Sequence, residues 1–180
     1  LDRGVLKLIK THMQVLEAHP WSFHASGALL SLLTICCDAI IAPPLSAASA
    51  SGGGGDPSER QLIACMTFLR SVLTCGAYKG KTSTGRTVDA GSEADAPVVA
   101  LAAQAQATLT EFWAPPRLTA LCTALVQHMA LTQRDLEEWQ ASPEEYFHAC
   151  DAAAWQERAN VCAESLLLTL LPAHRQLLCP

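Results

Sequence analysis

Apolar residues recur at three- and four-residue intervals along most of the chain, a spacing that places them on one face of an α-helix. The first such helix is predicted from Arg3 to Ala18, and Pro20 ends it. Its apolar face carries Val5, Leu8, Ile9, His12, Met13 and Leu16. A second helix is predicted to follow, from a cap at Ser22 to Ala42, where Pro43 and Pro44 stop it.

The second predicted helix is apolar around most of its circumference, which indicates that neighbours cover it on more than one side. Its apolar face carries Ser26, Leu29, Leu30, Leu33, Cys36, Cys37, Ile40 and Ile41. The longest apolar run, from Ala28 to Ala42, contains Ser31, Thr34 and Asp38 and is shorter than the roughly 20 residues of a membrane span. We therefore interpret this run as a buried helix.

Two low-complexity segments interrupt the helical pattern. Residues 43–57 and residues 79–97 are rich in small and polar residues that form no core, and both are predicted to be flexible loops. Between them, residues 58–78 are predicted to form a helix with one apolar stripe. Asp56 is expected to cap that helix, with Glu59 reaching back to its first turn.

The second half of the chain repeats the pattern of helices separated by prolines. A helix is predicted from Val98 to Phe112, and the following one carries Leu118, Leu121, Cys122, Leu125, Val126 and Met129 on its apolar face. Thr132 and Asp135 resemble a capping box that starts a short helix. Pro143 starts another helix, with Tyr146 and Phe147 as its apolar anchors. The last long helix is predicted from Ala152 to Leu171.

No segment alternates with period two, so the fold is predicted to be all-α, with long amphipathic helices in succession. Degenerate helix pairs of about 40 residues are typical of HEAT repeats, which stack into an armadillo-like superhelical α-solenoid. The predicted organisation is therefore a HEAT-like helix pair over residues 1–42, a loop at 43–57, a helix at 58–78, a loop at 79–97, and further HEAT-like helices over 98–180.

Composition narrows the function further. Hydrophobic residues make up 50% of the 180 residues and charged residues 16%, which supplies a core and argues against a disordered chain. The net charge is -5, and the lysines and arginines form no basic stripe, so we expect no nucleic-acid partner. Mild acidity suits contact with basic partners, and ordinary solubility explains it equally well.

The chain has eight cysteines, and no CxxC pair or zinc-type spacing occurs among them. They are Cys36, Cys37, Cys65, Cys75, Cys122, Cys150, Cys162 and Cys179. Most fall on the apolar side of predicted helices, where a cysteine behaves as a small hydrophobic residue. We predict reduced core thiols, which are typical of cytosolic or nuclear proteins.

A catalytic function has little support in the sequence, which lacks G-x-S-x-G, P-loop and H-E-x-x-H motifs. His19 and His24 flank a Pro-Trp pair, and capping or packing is the favoured interpretation. The adjacent carboxylates at 137–138 and 144–145 point in different directions on a helix, so neither pair is a ready acid–base dyad. We expect no catalytic, cofactor-binding or metal-binding residue; a thiol- or metal-dependent enzyme is the weaker alternative.

One stretch of the sequence says more about function than the composition does. LTQRDLEEW from Leu131 to Trp139, followed by SPEEYF from Ser142 to Phe147, resembles a signature of importin-β-like nuclear transport receptors, the karyopherins. The family pattern is a short L-T-x-x-D/E-L-x-x-W helix, an Asp-Pro-Glu-Glu-Phe-like turn, and then a helix with a Trp and an Arg. Trp155 and Arg158 match its last part, while Ser142 replaces the expected Asp.

The resemblance assigns a structural role to aromatic residues and one proline. Trp139 and either Tyr146 or Phe147 are expected to wedge between successive helix pairs, with Pro143 fixing the turn between them. HPWSF, which includes Trp21, resembles a helix junction in the same family. The motif residues are Trp21, Trp139, Pro143, Tyr146, Phe147 and Trp155.

The resemblance implies that the chain is an internal segment of a transport receptor found in the nucleus, the cytoplasm and the nuclear pore. Such receptors bind protein cargo, FG-repeat nucleoporins and the GTPase Ran in its GTP form, and they do not insert into membranes. Their main Ran contacts lie in earlier repeats, so no Ran-binding or cargo-binding residue is assigned here. A HEAT-repeat interaction scaffold without a transport role is the alternative.

Overall fold

The computed structural model describes residues 2–42, 57–81, 96–150 and 157–178. Within these ranges the chain forms helices and no β-strand, so the predicted all-α class is confirmed. The helices are α1 (Asp2–Ala18), α2 (Pro20–Ala25), α3 (Ala28–Ile41), α4 (Pro57–Thr74), α5 (Ala96–Phe112), α6 (Pro115–His128), α7 (Gln133–Ala141), α8 (Pro143–Ala149), α9 (Ala159–Ala173) and α10 (Arg175–Leu178). A single 3-10 turn, Ala77–Lys79, follows α4.

Five of the long helices form two rows that alternate along the chain, while α5 packs chiefly against the 3-10 turn after α4. Helix α4 packs between α1 and α9, and these three helices make up one row. Helices α3 and α6 pack on each other and make up the second row. The rows are joined where α3 packs on α4 and α6 packs on α9.

Helix α4 is the centre of the core because neighbours cover it on several sides. Every side chain from 63 to 69 is buried, including the hydroxyl-bearing Thr67. The Thr67 hydroxyl donates a 2.7 Å hydrogen bond to the carbonyl of Ile63, one turn earlier. A buried polar group therefore has its partner within the same helix, and the surrounding core can remain apolar.

The second predicted helix is two helices, which corrects the single helix expected from Ser22 to Ala42. Gly27 separates α2 from α3 with φ of +76°, a left-handed conformation that ends one helix and starts the next. Ser22 lies inside α2 instead of capping it, because α2 already begins at Pro20. In α3, Leu32 is buried and Leu30 is 46% exposed, so the apolar face is shifted from the predicted one.

Three other predicted boundaries change. The last long helix begins at Ala159, because Arg158 is extended, and Pro172 lies inside it instead of beyond its end. The helix predicted to reach residue 78 ends at Thr74. The loop predicted at 79–97 has helical residues at both ends, since Lys79 belongs to the 3-10 turn and α5 begins at Ala96. Its interior, 82–95, lies outside the described residues, as do residues 43–56 with the predicted cap Asp56.

Candidate functional site

The capping box predicted before α7 is present. The Asp135 amide donates to the Thr132 hydroxyl at 3.2 Å, and the Thr132 amide donates to the Asp135 carboxylate at 2.7 Å. Two amides at the start of the helix thereby find partners, which fixes where α7 begins. Asp135 is 6% exposed, which is unusual for a carboxylate.

Arg158 joins this cap to the start of α9. Its guanidinium donates to the second oxygen of Asp135, 23 residues earlier. It also donates to Glu138 Oε2 at 2.8 Å, so one side chain bridges two carboxylates of α7. The remaining oxygen of Glu138 accepts from Arg134 Nε at 2.7 Å. Charge-assisted bonds of this kind are stronger than neutral ones, and the fixed fork of arginine suits two acceptors.

Asp135, Glu138 and Arg158, which we call the ionic cluster, shift one another's pKa. Burial of the Asp135 carboxyl tends to raise its pKa, but hydrogen bonds from Thr132 and Arg158 outweigh burial and lower it. Hydrogen bonds from Arg134 and then Arg158 lower the pKa of Glu138. Burial tends to lower the pKa of Arg158, and its bonds to the two carboxylates raise it instead. The cluster is therefore fully ionised at neutral pH.

The aromatic residues of the motif lie around this cluster in unequal environments. The Arg158 guanidinium lies 5.0 Å from the centre of the Tyr146 ring, which is half-buried. Trp139 is 54% exposed and Phe147 is 74% exposed. Phe147 is therefore not the apolar anchor of α8 that the sequence predicted. Neither Trp139 nor Phe147 wedges between helix pairs within the described part of the chain.

The remaining motif residues are placed as follows. Pro143 occupies the first position of α8, as predicted, where its missing amide hydrogen costs no helical bond. Trp155 lies outside the described residues. The same turn that carries Arg158 is also tied to α4, because the Ala159 amide donates to Glu59 Oε1 at 3.4 Å.

The junction formed by His19 to Phe23 is a second cluster, and it joins distant parts of the chain. Trp21 packs edge-on against Tyr78 with ring centres 6.0 Å apart. The Tyr78 hydroxyl donates to the Pro20 carbonyl at 2.9 Å, across 58 residues. His24 Nε2 lies 3.1 Å from the Thr108 hydroxyl of α5. The junction therefore fixes α2 against the turn after α4 and against α5, which is the packing role expected of His24.

An open cleft of about 840 Å³ lies beside this junction, between the end of α1, α2, the end of α4 and the start of α5. Leu16, Trp21 and Val98 contribute apolar surface, and Glu17 and Lys81 contribute charge of both signs. Concave surfaces of this kind are the default places for ligands. In the part of the chain that the structure describes, the lining shows no group of side chains that would specify a reaction.

The cysteines lie largely in the core. Cys36, Cys37, Cys65 and Cys162 are buried, as the apolar spacing predicts, while Cys75, Cys122 and Cys150 are half-buried. All seven are free thiols, and Cys179 lies outside the described residues. Burial raises the pKa of Cys37 and of Cys162 to about 11, so both are protonated at neutral pH.

Sequence reasoning placed Arg158 in the motif but assigned it no contact, and it left Asp135 and Glu138 out of the site. The spacing of Asp135 and Glu138, three residues apart on one helix, puts both carboxylates on one face and was the available signal. Nothing local indicated that a residue 20 positions later would bind them. In the described ranges, no three His, Cys, Asp or Glu side chains are grouped so that they could hold a metal ion.

None of the helices in the described ranges is both long enough and apolar enough to cross a membrane. Comparison of the chain with protein-family models, with curated proteins and with solved structures found no match.

Proposed function

We propose that this chain is a segment of a nuclear transport receptor of the importin-β-like family, most similar to importin-11, and that it acts by binding and not by catalysis. Its fold would be a partial HEAT-type α-solenoid. The receptor would carry protein cargo between cytoplasm and nucleus, contact FG nucleoporins at the pore, and respond to Ran-GTP chiefly through repeats outside these residues.

The observation that carries the proposal is the contact of Arg158 with Asp135 and Glu138. The resemblance rests on two separate pieces of sequence, the L-T-x-x-D-L-x-x-W segment and the later Arg. In the structure, Asp135 from the first piece forms the capping box with Thr132 and also bonds to Arg158 from the second piece. Polar residues with mutual partners in three dimensions support the view that these pieces form one functional unit, because chance matches need not touch.

The alternating rows give independent support. Helices α1, α4 and α9 in one row and α3 and α6 in the other follow one another along the chain in the order expected of stacked helix pairs. In such a stack each pair buries its apolar face only against its neighbours.

The resemblance to importin-11 rests on HPWSF and on the order of three later segments, Cys65-Met66 to Tyr78-Lys79, Leu118 to Val126, and the L-T-x-x-D-L-x-x-W segment. HPWSF forms the junction at which Trp21, Tyr78 and His24 meet, so this segment also has a specific structural task. A scaffold of HEAT repeats without a transport role uses the same architecture. The exposed Trp139 and Phe147 suit a partner-binding surface in either case.

The proposal is tested by measuring binding of the full-length protein that contains this chain to immobilised Ran, loaded in parallel with GTP or with GDP. We expect strong selectivity for the GTP form, and an unrelated GTPase loaded with GTP serves as the control. Binding to neither form by a monodisperse, helical protein would contradict the transport proposal and leave the HEAT-repeat scaffold as the better description.

A further inference from the structure

Helices α7 and α8, which we call the connector, are attached to the rest of the molecule in an unusual way. Neither helix contributes a residue to the hydrophobic core of the described ranges. Asp135 is the buried side chain of α7, and α8 has none. Within the described ranges, two helices that contain Leu, Trp, Tyr and Phe side chains thus lie against the other helices, which we call the body, without a buried apolar contact of the kind that usually holds a helix in place.

Polar contacts through one side chain replace that apolar packing. Arg158 bonds to Asp135 and Glu138 on α7 and lies over the Tyr146 ring on α8, so it touches both helices of the connector. With 19% of its side chain exposed, it lies between solvent and the interior. The guanidinium of Arg158 therefore links the connector to the rest of the described helices.

Arg158 itself is fixed firmly to the body. Its carbonyl accepts the Cys162 amide at 3.0 Å, the first helical bond of α9. Glu59 of α4 binds the adjacent Ala159 amide at 3.4 Å. Helices α4 and α9 pack closely along their lengths, and Cys162 is 1% exposed. Arg158 is thus anchored to two helices of the core, although Glu59, Arg158 and Ala159 are themselves half-buried.

We propose that the connector is a movable arm and that Arg158 is the positioning residue that holds it on the helical body. A unit with few buried apolar contacts opens at lower free energy than the core around it, so the arm opens while α4 and α9 stay closed. Because the Glu138 side chain is 34% exposed, salt weakens its bond to Arg158, whereas the more buried bond to Asp135 is screened less. The inference concerns motion of this arm and stands apart from the transport proposal.

The test is amide hydrogen exchange of the intact protein, followed by mass spectrometry, with Arg158→Gln compared against Arg134→Gln. Arg134 also binds Glu138, but it lies on α7 itself and makes no bridge to the body, so it is the matched control. We expect Arg158→Gln to raise exchange in α7 and α8 by about tenfold or more and to leave α4 and α9 unchanged. Arg134→Gln should change exchange less than about twofold.

Added salt and a conservative variant distinguish a residue that holds the connector from one that stabilises the whole fold. In the wild type, exchange of the arm should rise with added sodium chloride, and in Arg158→Gln this dependence should vanish. Arg158→Lys keeps the charge but loses the planar guanidinium that reaches two carboxylates. Its exchange rates in α7 and α8 should therefore lie between those of the wild type and those of Arg158→Gln. Equal exchange in both arginine variants, unprotected amides in the wild-type arm, or faster exchange throughout α4 and α9 would each overturn the proposal.

Discussion

The Tyr78 hydroxyl donates a 2.9 Å hydrogen bond to the carbonyl of Pro20, and this bond closes a loop of 58 residues between α2 and the turn after α4. Tyr78 is 2% exposed, so its hydroxyl must find a partner within the protein. Burial raises its pKa well above the ordinary tyrosine value, which keeps the hydroxyl a donor across the physiological range.

Replacing Tyr78 by phenylalanine removes this bond and leaves the ring in place. We expect the free energy of unfolding to fall by about 1 kcal/mol, the usual net value of one such bond. Urea denaturation followed by circular dichroism measures it. Tyr146→Phe is the control, because Tyr146 lies on the connector outside the core, and a change below about 0.5 kcal/mol is expected there. Equal losses for the two variants would contradict the role given to Tyr78.

Gly27 and Gly4 give a matched pair for the backbone. A Cβ at either position meets no atom within 4 Å, but Gly27 has φ of +76° while Gly4 lies within α1. Gly27→Ala should lower the free energy of unfolding by about 1 kcal/mol through left-handed strain alone. Gly4→Ala should raise it by about 0.5 kcal/mol through helix propensity. Thermal or urea unfolding measures both changes. If both variants raised the free energy of unfolding, the left-handed conformation at Gly27 would be contradicted.

Elements governed by local spacing could be predicted from the sequence. The helix over 98–112 and the capping box at Thr132 depend on residues within one or two turns of each other, and both are present. Helix α1 is also present, but Leu8, which was predicted to lie on its apolar face, is 54% exposed. The break at Gly27 was missed because the helical spacing was traced across it, from Ser26 to Leu29. Ser26-Gly27, directly before the apolar run that begins at Ala28, was the turn signal that outweighed the periodicity.

Features governed by distant residues could not be predicted. Arg158 is extended and bound to Asp135, so the last helix begins later than its apolar pattern suggested. Phe147 was expected to anchor α8 because aromatic residues are usually buried, yet no core surface lies opposite it in the described ranges. The contact of Glu59 with Ala159 joins residues 100 positions apart, and no local pattern contains that information.

The cysteines predict a pattern of chemical modification. Native protein treated briefly with iodoacetamide near neutral pH should react at Cys75 and Cys150, which are half-buried, before Cys37 and Cys162. Burial excludes the reagent and, with the pKa of both core thiols raised to about 11, leaves little thiolate to react. Mass spectrometry of peptides gives the order of labelling. Core thiols that react as fast as Cys150 in folded protein would contradict the packing of α3 and α9.

Leu166 and Leu168 test the packing of α9 with one residue type on one helix. Leu166 is fully buried and Leu168 is 60% exposed. Leu166→Ala should lower the free energy of unfolding by about 2–5 kcal/mol, because a cavity remains in the core. Leu168→Ala should change it by less than about 0.5 kcal/mol. Urea denaturation of both variants provides the comparison. A large loss of stability in Leu168→Ala would contradict the exposure of this face of α9.

Asp135 makes the attachment of α7 dependent on pH, and the sign follows from its depressed pKa. The folded-state pKa lies below the ordinary value of about 3.9, so its contribution to stability is complete above that value. The contribution is lost as the pH falls through the folded-state pKa, because protonation weakens the carboxyl as an acceptor for Arg158 and for the Thr132 amide. Asp135→Asn should therefore loosen α7 at neutral pH and differ little from the wild type in strong acid.

Carbon-detected NMR titration of the carboxyl groups measures this pKa directly. We expect the Asp135 signal to titrate below about 3.9 in the wild type and to move upward in Arg158→Gln and in Thr132→Ala. Arg158→Gln removes the guanidinium and Thr132→Ala removes the hydroxyl, and each of these groups donates a hydrogen bond to the Asp135 carboxylate. Burial, which raises the pKa, then has less opposing it. Arg134→Gln removes no bond to Asp135 and serves as the control. An Asp135 signal unchanged in both Arg158→Gln and Thr132→Ala would mean that these contacts do not form in solution.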